Sequence, residues 1–516
     1  MFDSEETVNT SENDSIQSSS INDSSTNVSH KNDSNSAVLC NEEINSVSNI
    51  KSKIQQWTLD NLDTLQLNVV TDLLRILREE GHSSLPRTAQ SLLGTKHHRI
   101  LQQIKSNKNT QGEYIYIGIE HGLNHIINTQ IFIEKEICIL VHIDGVQIYN
   151  NSQIQVWPII MKIFHKEYNC EPFTIALYCG DSKPGSAHDY LNDFVTEATK
   201  LINQGVTINT RTYSFRIIAI IADSPARSFI KCIKPPGAFY ACERCSVKGI
   251  SVGKELKKKR IYPETNCLKR TKESFEGRNQ PQHHKDNVMS PLLLLPNFDI
   301  INDVLDSMHL LYLGTMKYLL ENWTVKKSSA RLKRRDINNF RRIILNVTAD
   351  VPYEFQRKKF DVYLVSRCKA TQFRFFLLYC GTVVLKSVLP DHHYRHFLLF
   401  SAACRILNSS DLSRTTCDYA KYLLTQFFRL LPSLYGESSQ VLSMHNLIHV
   451  ANDVINHNIP LSGISAFWGE SYIGLFKKLV KSPNKPLTQI VNRLSELNSG
   501  NRLKIKKMYP FELYNR

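Results

Sequence analysis

Two apolar runs, each closed by an aspartate, constrain this chain more than any other feature. Ile137-Cys138-Ile139-Leu140-Val141-His142-Ile143 ends on Asp144, and Tyr213 to Ala222 (YSFRIIAIIA) ends on Asp223. Short, largely apolar and β-branched runs of this kind read as buried strands. YIYIGI, IFIEKEICILVHID, VQIYN and FTIALYC add further short β-like runs from about residue 113. AHDYLNDFVTEATKLINQG then reads as a helix ending near Gly205, before the second Asp-terminated run. Strands, a helix and a further strand predict a mixed α/β sheet with acids at strand ends, where ligands collect in such sheets.

The rest of the chain differs. Residues 1–50 hold 13 Ser, 9 Asn, nine Asp/Glu and one Lys, too few large apolar groups to offset ordering, and are expected to be a disordered tail. WTLDNLDTLQLNVVTDLLRILREE has helical periodicity and opens a helical N-terminal segment, 51–110, read as a packing collar in preference to a DNA-binding element. Residues 111–245 carry the first part of the sheet domain. A basic loop and a mainly helical insertion are expected over 246–440, with 251–290 as an exposed, mobile stretch. Residues 441–500 supply two final helices, and 501–516 a C-terminal tail. No internal repeat of fixed period is present.

A third acid, Glu470, lies in the amphipathic stretch AFWGESYIGLFKKLV. Two strand ends and a helix can bring Asp144, Asp223 and Glu470 together. Clustered carboxylates hold Mg²⁺ or Mn²⁺ for phosphoryl transfer. Each acid also has an ordinary reading: a strand-end Asp as a cap or turn residue, and Glu470 as a solvated helix residue. Asp181 in YCGDSKPG is a rival, but its Gly and Pro neighbours favour a turn. Asp306 and His309 share a helix face and read first as a polar pair within a helical core. His142 points to the same face as Asp144 in a regular strand and is assigned no role.

Cys242-Glu243-Arg244-Cys245 is a CxxC, compatible with a redox pair or with half of a zinc site. His445 and His449, at i and i+4, present two imidazoles on one helix face. Two Cys and two His complete a tetrahedral structural Zn²⁺ site if they meet. Cys245 and His445 are 200 residues apart, so spacing alone leaves open the alternative of two ordinary histidines and an unrelated CxxC.

The net charge of +15 is uneven: residues 1–50 carry −8, so the remaining 466 carry +23. A basic body suits a polyanionic partner, nucleic acid first. Lys257, Lys258, Lys259, Arg260, Arg334 and Arg335 are candidate DNA contacts, with nuclear import or a solvated surface as the alternative for those loops. Twelve Cys, mostly single within apolar runs, read as reduced core residues. The opening lacks a signal-peptide pattern and no apolar run reaches the roughly 20 residues of a membrane span, so the expectation is intracellular with no membrane partner.

The motifs HIDG, ALYCGDSKP, IADSPARSFIKCIK…YACERCSVKG, LDSMHLLYLG, KATQFRFFLLYCG, MHNLIH and SAFWGESYIGLFKKLV, in that order, resemble transposase-derived proteins of the En/Spm (CACTA) type over roughly residues 55–500. The resemblance implies a DDE transposase: an RNase H-like mixed sheet interrupted by a large, mainly helical insertion. It implies Asp144, Asp223 and Glu470 as the catalytic, Mg²⁺- or Mn²⁺-binding residues. It also implies a zinc clamp of Cys242, Cys245, His445 and His449 joining the two ends of the insertion. DNA (transposon ends and target) is the implied partner, a homo-oligomer on DNA the implied assembly, and the nucleus the implied location. A domesticated, catalytically inactive DNA- or chromatin-binding protein with a structural zinc site is the alternative. Gln372 stands where the family pattern has an acid, and Trp468-Gly469 where a Pro-aromatic pair is more usual.

Overall fold

The computed structural model describes residues 50–499 apart from 97–99, 150–151, 255–257, 353–354, 356 and 358–359. The tails expected at 1–50 and 501–516 therefore lie outside the described residues, save Ile50.

The architecture is mixed α/β. Eight strands form the main sheet: β1 (Gln102–Lys105), β2 (Gln111–Tyr116), β3 (Glu136–Ile143), β4 (Val146–Gln147), β5 (Gln155–Ile163), β6 (Phe173–Gly180), β7 (Val206–Ile208) and β8 (Arg211–Ile221). Their order is β1-β2-β6-β5-β3-β8-β7, with β4 paired to β5. Among the described residues only β3 and β8 run parallel; the other pairings of this sheet are antiparallel. The crossover between β6 and β8 runs through the Ala187–Gln204 helix, which Ser186 caps by accepting from the Asp189 N–H.

β3 is central and buried on both faces, which explains its unbroken apolar sequence. Ile137, Ile139, Val141 and Ile143 pack with Tyr190, Leu191, Phe194 and Ala198 of the crossover helix. Leu140 faces the other way, with Ala219 and Ile221 of β8, into the core of the helical region. Farther along that face, Val156, Ile160 and Leu177 pack with Ile473, Phe476 and Leu479. The helix carrying Glu470 is thus held to the sheet by its apolar stripe.

The structure differs from the sequence reading in three places. β5 is not among the strands expected from the sequence; it contains Pro158, and proline lacks the N–H a central strand needs. Here β5 pairs with β3 only from Ile159 to Ile163, so Pro158 lies one residue past the end of that ladder, beside a register shift at Ile159/Ile160. The N-terminal helical segment ends before 110, since Gln102–Lys105 is a strand paired to β2. Residues 251–290 are not a bare loop: Ile250–Val252 and Lys259–Ile261 form a hairpin, and Tyr262, Phe275, His283 and His284 are buried.

The 291–457 region is mainly helical, as its periodicity predicts, around Phe340, Phe373, Phe376, Phe397, Phe400, Phe427 and Trp323. The N-terminal helices dock on the last helix, Pro486–Ser499, through Leu59, Leu62, Leu93 and Leu497, and Lys478 pairs with Asp63 at 2.9 Å. That is packing of the collar kind. No helix among the described residues is long and apolar enough to cross a membrane.

Candidate metal centres

Among the described residues, two clusters of ligand-type side chains form where distant segments meet. The first unites Cys242, Cys245, His445 and His449, all buried, with one ligand atom from each within 4.8 Å of the others. Cys242 Sγ to Cys245 Sγ is 3.6 Å, Cys245 Sγ to His445 Nε2 3.3 Å, Cys242 Sγ to His449 Nε2 3.6 Å, and His445 Nε2 to His449 Nε2 3.2 Å. A tetrahedral Zn²⁺ with bonds of about 2.3 Å to sulfur and 2.0–2.1 Å to nitrogen sets these edges at ~3.8 Å for S···S, ~3.6 Å for S···N and ~3.3 Å for N···N. The four side chains therefore fit a metal, and the donor set is that of structural zinc. A sulfur–sulfur distance of 3.6 Å is far beyond a disulfide bond.

The surroundings favour ligation. The His445 Nδ1–H donates to the Tyr262 carbonyl at 3.0 Å, which leaves Nε2 free for the metal. The Arg244 N–H points at Cys242 Sγ at 3.4 Å. Burial disfavours a Cys242 thiolate, but hydrogen bonding from Cys245 and the facing His449 hold the group well below its ordinary range. The two residues inside the CxxC are themselves tethers. Glu243 takes Arg227 and Lys231, each at 2.8 Å, from the turn of chain that follows Asp223. Arg244 pairs with Asp453 at 2.9 Å on the Leu447–His457 helix that carries His449. Buried charges must be paired, and here the pairs join the end of β8 to the histidine helix. Sequence reasoning missed this network. Its one available signal was two adjacent charges between cysteines in an otherwise apolar setting.

The second cluster lies at the carboxyl ends of β3 and β8. His142 faces Ile221 in their parallel ladder, so continuing the register brings Asp144 level with Asp223; the register shift between Ile139 and Leu140 sets that alignment. Both aspartates also do local work. Asp223 Oδ1 accepts from the Ala226 N–H at 2.7 Å and caps the Ser224–Ile230 helix, and Asp144 Oδ1 accepts from the Gly145 N–H at 2.6 Å. Glu470 arrives from the first turn of the Phe467–Leu479 helix. Ligand atoms of His142, Asp144 and Glu470 lie within 4.8 Å of one another. Asp223 stands outside that tight group but near enough for its charge to act on Asp144. Burial, then the Asp223 charge, then the hydrogen bond and charge of Glu470 push the Asp144 carboxyl well above its ordinary range. Carboxylates crowded at this spacing repel one another, and His142, Asp144 and Glu470 together could hold a metal ion.

Asp306 organises this cluster from behind. Fully buried, its Oδ1 accepts from the Met308 and Ala466 N–H groups at 3.1 and 2.8 Å, and its Oδ2 from the His309 N–H at 3.1 Å and His309 Nδ1 at 2.6 Å. One carboxylate thus fixes the start of the Glu470 helix and the His309 ring, whose Nε2 is 3.9 Å from Glu470 Oε1. Burial works against a charged His309, but the Asp306 bond and the charges of Asp306, Glu470 and Asp144 outweigh it and raise its pKa. The Met308–Met316 segment has the wider i→i+5 turn, a distortion common at functional sites. The pair expected as an ordinary core contact is thus also part of the cluster's wall.

The other candidates fall as follows. Asp181 accepts from Thr110 and Ser182 at an exposed turn, as its neighbours suggest. Gln372 returns to the Lys369 N–H and caps its own helix. Trp468 and Gly469 both lie against His142. Lys257 lies outside the described residues. Lys258, Lys259, Arg334 and Arg335 are exposed, whereas the Arg260 guanidinium stacks on Phe239 at 3.3 Å and bonds Ser251. No family model matches the chain, and no curated protein matches it.

Proposed function

We propose that this chain is a DDE-type DNA transposase, or a protein derived from one, on an RNase H-like core. The observation that carries this reading is the meeting of Asp144 with Glu470, 326 residues apart in sequence, beside Asp223 at the carboxyl ends of two parallel strands. That arrangement answers the reading's requirement for one acid on a central strand, a second after the neighbouring strand and a third from a distant helix.

Mg²⁺ or Mn²⁺ held by Asp144, Asp223 and Glu470 would activate an oxygen nucleophile and offset charge at phosphorus. The protein's own part is placement. β3 and β8 hold two carboxylates level, Asp306 sets the third through the Ala466 N–H, and the partly open side of Glu470 admits substrate. Exposed Arg334 and Arg335, with Arg341 and Arg342 on the same helix, offer phosphate contacts on a body of net positive charge. DNA as partner, assembly on DNA and a nuclear location all follow from this reading.

The test is cleavage and strand transfer by purified protein with Mn²⁺ or Mg²⁺. Activity that disappears in Glu470→Gln, with unfolding unchanged, supports the enzyme. Equal activity in wild type and variant removes the proposed triad. DNA binding with no cleavage by wild type, on DNA bearing the element's own ends, favours the domesticated, non-cutting alternative.

A further inference from the structure

The three carboxylates leave His142 unexplained. Its ring is fully buried on β3, and neither nitrogen has a hydrogen-bond partner among the described residues. The buried rings of His283, His396 and His445 each reach a backbone carbonyl. A buried polar group without a partner calls for one.

The ring is also held in place. Trp468 meets it edge-on at 5.6 Å between centroids. Gly469 packs directly against it: a Cβ at that position would fall 2.2 Å from His142 Cγ. The helix that delivers Glu470 thus approaches β3 through a glycine and presses on this imidazole. A ring nitrogen lies within 4.8 Å of carboxylate oxygens of both Asp144 and Glu470. Ligands about 2.1 Å from a shared ion stand up to ~4.2 Å apart, so binding needs only a small contraction.

We propose that His142 is a ligand, with Asp144 and Glu470, of the divalent ion at this site, and that the site therefore selects Mn²⁺ over Mg²⁺. This rests on the divalent-ion reading of the carboxylates. Mg²⁺ takes oxygen ligands in strict octahedral geometry and gives up water reluctantly. Imidazole is a ligand of the first-row transition ions; Mn²⁺, although the weakest binder of that series and itself partial to oxygen, accepts one nitrogen more readily than Mg²⁺ does. His309 is the other nearby imidazole, but Asp306 holds its Nδ1 and its Nε2 faces Glu470.

The experiment uses full-length protein, its Cys/His cluster first filled with zinc, titrated with Mn²⁺ and followed by electron paramagnetic resonance. Spin-echo modulation then reads directly bound ¹⁴N. The expected result is bound Mn²⁺ with a nitrogen coupling that persists in His309→Gln and vanishes in His142→Gln. The latter should weaken Mn²⁺ by at least the roughly 10–100-fold that loss of a mere outer-shell partner costs and leave Mg²⁺, measured by competition, nearly unchanged. If His142→Gln does not fold, the wild-type coupling and its retention in His309→Gln decide. Bound Mn²⁺ without nitrogen coupling, lost in Asp144→Asn, overturns the histidine ligand and leaves the carboxylate reading standing. A coupling that follows His309 also overturns it. No Mn²⁺ binding at all removes both.

Discussion

The Cys/His cluster and the acidic cluster are both built from segments hundreds of residues apart, yet they are finished differently. In the first, every ligand is buried, the interatomic edges match a tetrahedron, and surrounding groups restrain the ligands. In the second, Asp144, Asp223 and Glu470 are partly exposed, the spacing is uneven, and two of the acids also serve local caps or turns. A closed site spends all its ligands on holding the chain. An open one keeps a side for something else. On the proposed reading, the contrast is that between structural and catalytic metal sites.

The difference can be broken at either end. The largest effect is expected from opening the closed site. Cys242→Ser and His445→Ala should each lose zinc and destabilise the fold by on the order of several kcal/mol, because metal binding there is folding free energy. Metal analysis with calorimetry reads both; full zinc occupancy in both variants would show that the four residues are not a shared site. Next comes Glu470→Gln, which should lower metal-dependent cleavage by at least roughly 10²–10³-fold with little change in thermal unfolding. A comparable loss of stability would make the acidic cluster structural after all, and erase the contrast.

A smaller effect tests the wall between fold and site. Asp306→Asn exchanges one acceptor oxygen for an amide that faces the His309 donors, and should cost about 1–3 kcal/mol. Its second signature is a changed His309 ring environment in NMR spectra. Unfolding without any change at His309 would confine Asp306 to a packing role. The smallest effect concerns the surface: Arg334→Ala and Arg335→Ala should change stability by less than about 0.5 kcal/mol. Each should lower the salt slope of DNA binding by about 1. An unchanged slope would place DNA on another face.

Parts of both clusters were readable in the chain. The Asp144 and Asp223 runs announced strand ends because each closes a largely apolar, β-branched stretch on a carboxylate. His445 and His449 announced one helix face, and Cys242 and Cys245 one tight pair. Other parts were hidden for physical reasons. β5 holds Pro158, which local propensity disfavours in a central strand; only the structure shows that β3's ladder stops at Ile159. The pairing of Glu243 and Arg244 was not readable, because their partners, Arg227, Lys231 and Asp453, come from other elements. His142 resembled any apolar-strand histidine until Gly469 and Trp468 closed over it.

By itself, the sequence determined the strand and helix types through their apolar periods, the chemistry available at each position, and the basic character of the body. Only the tertiary structure decided which of those chemistries meet. The Cys pair reaches the His pair, and Asp144 reaches Glu470, because buried ion pairs and apolar helix faces fold the helical region back onto the sheet. Such contacts depend on which surfaces exclude water together, and no local spacing records that.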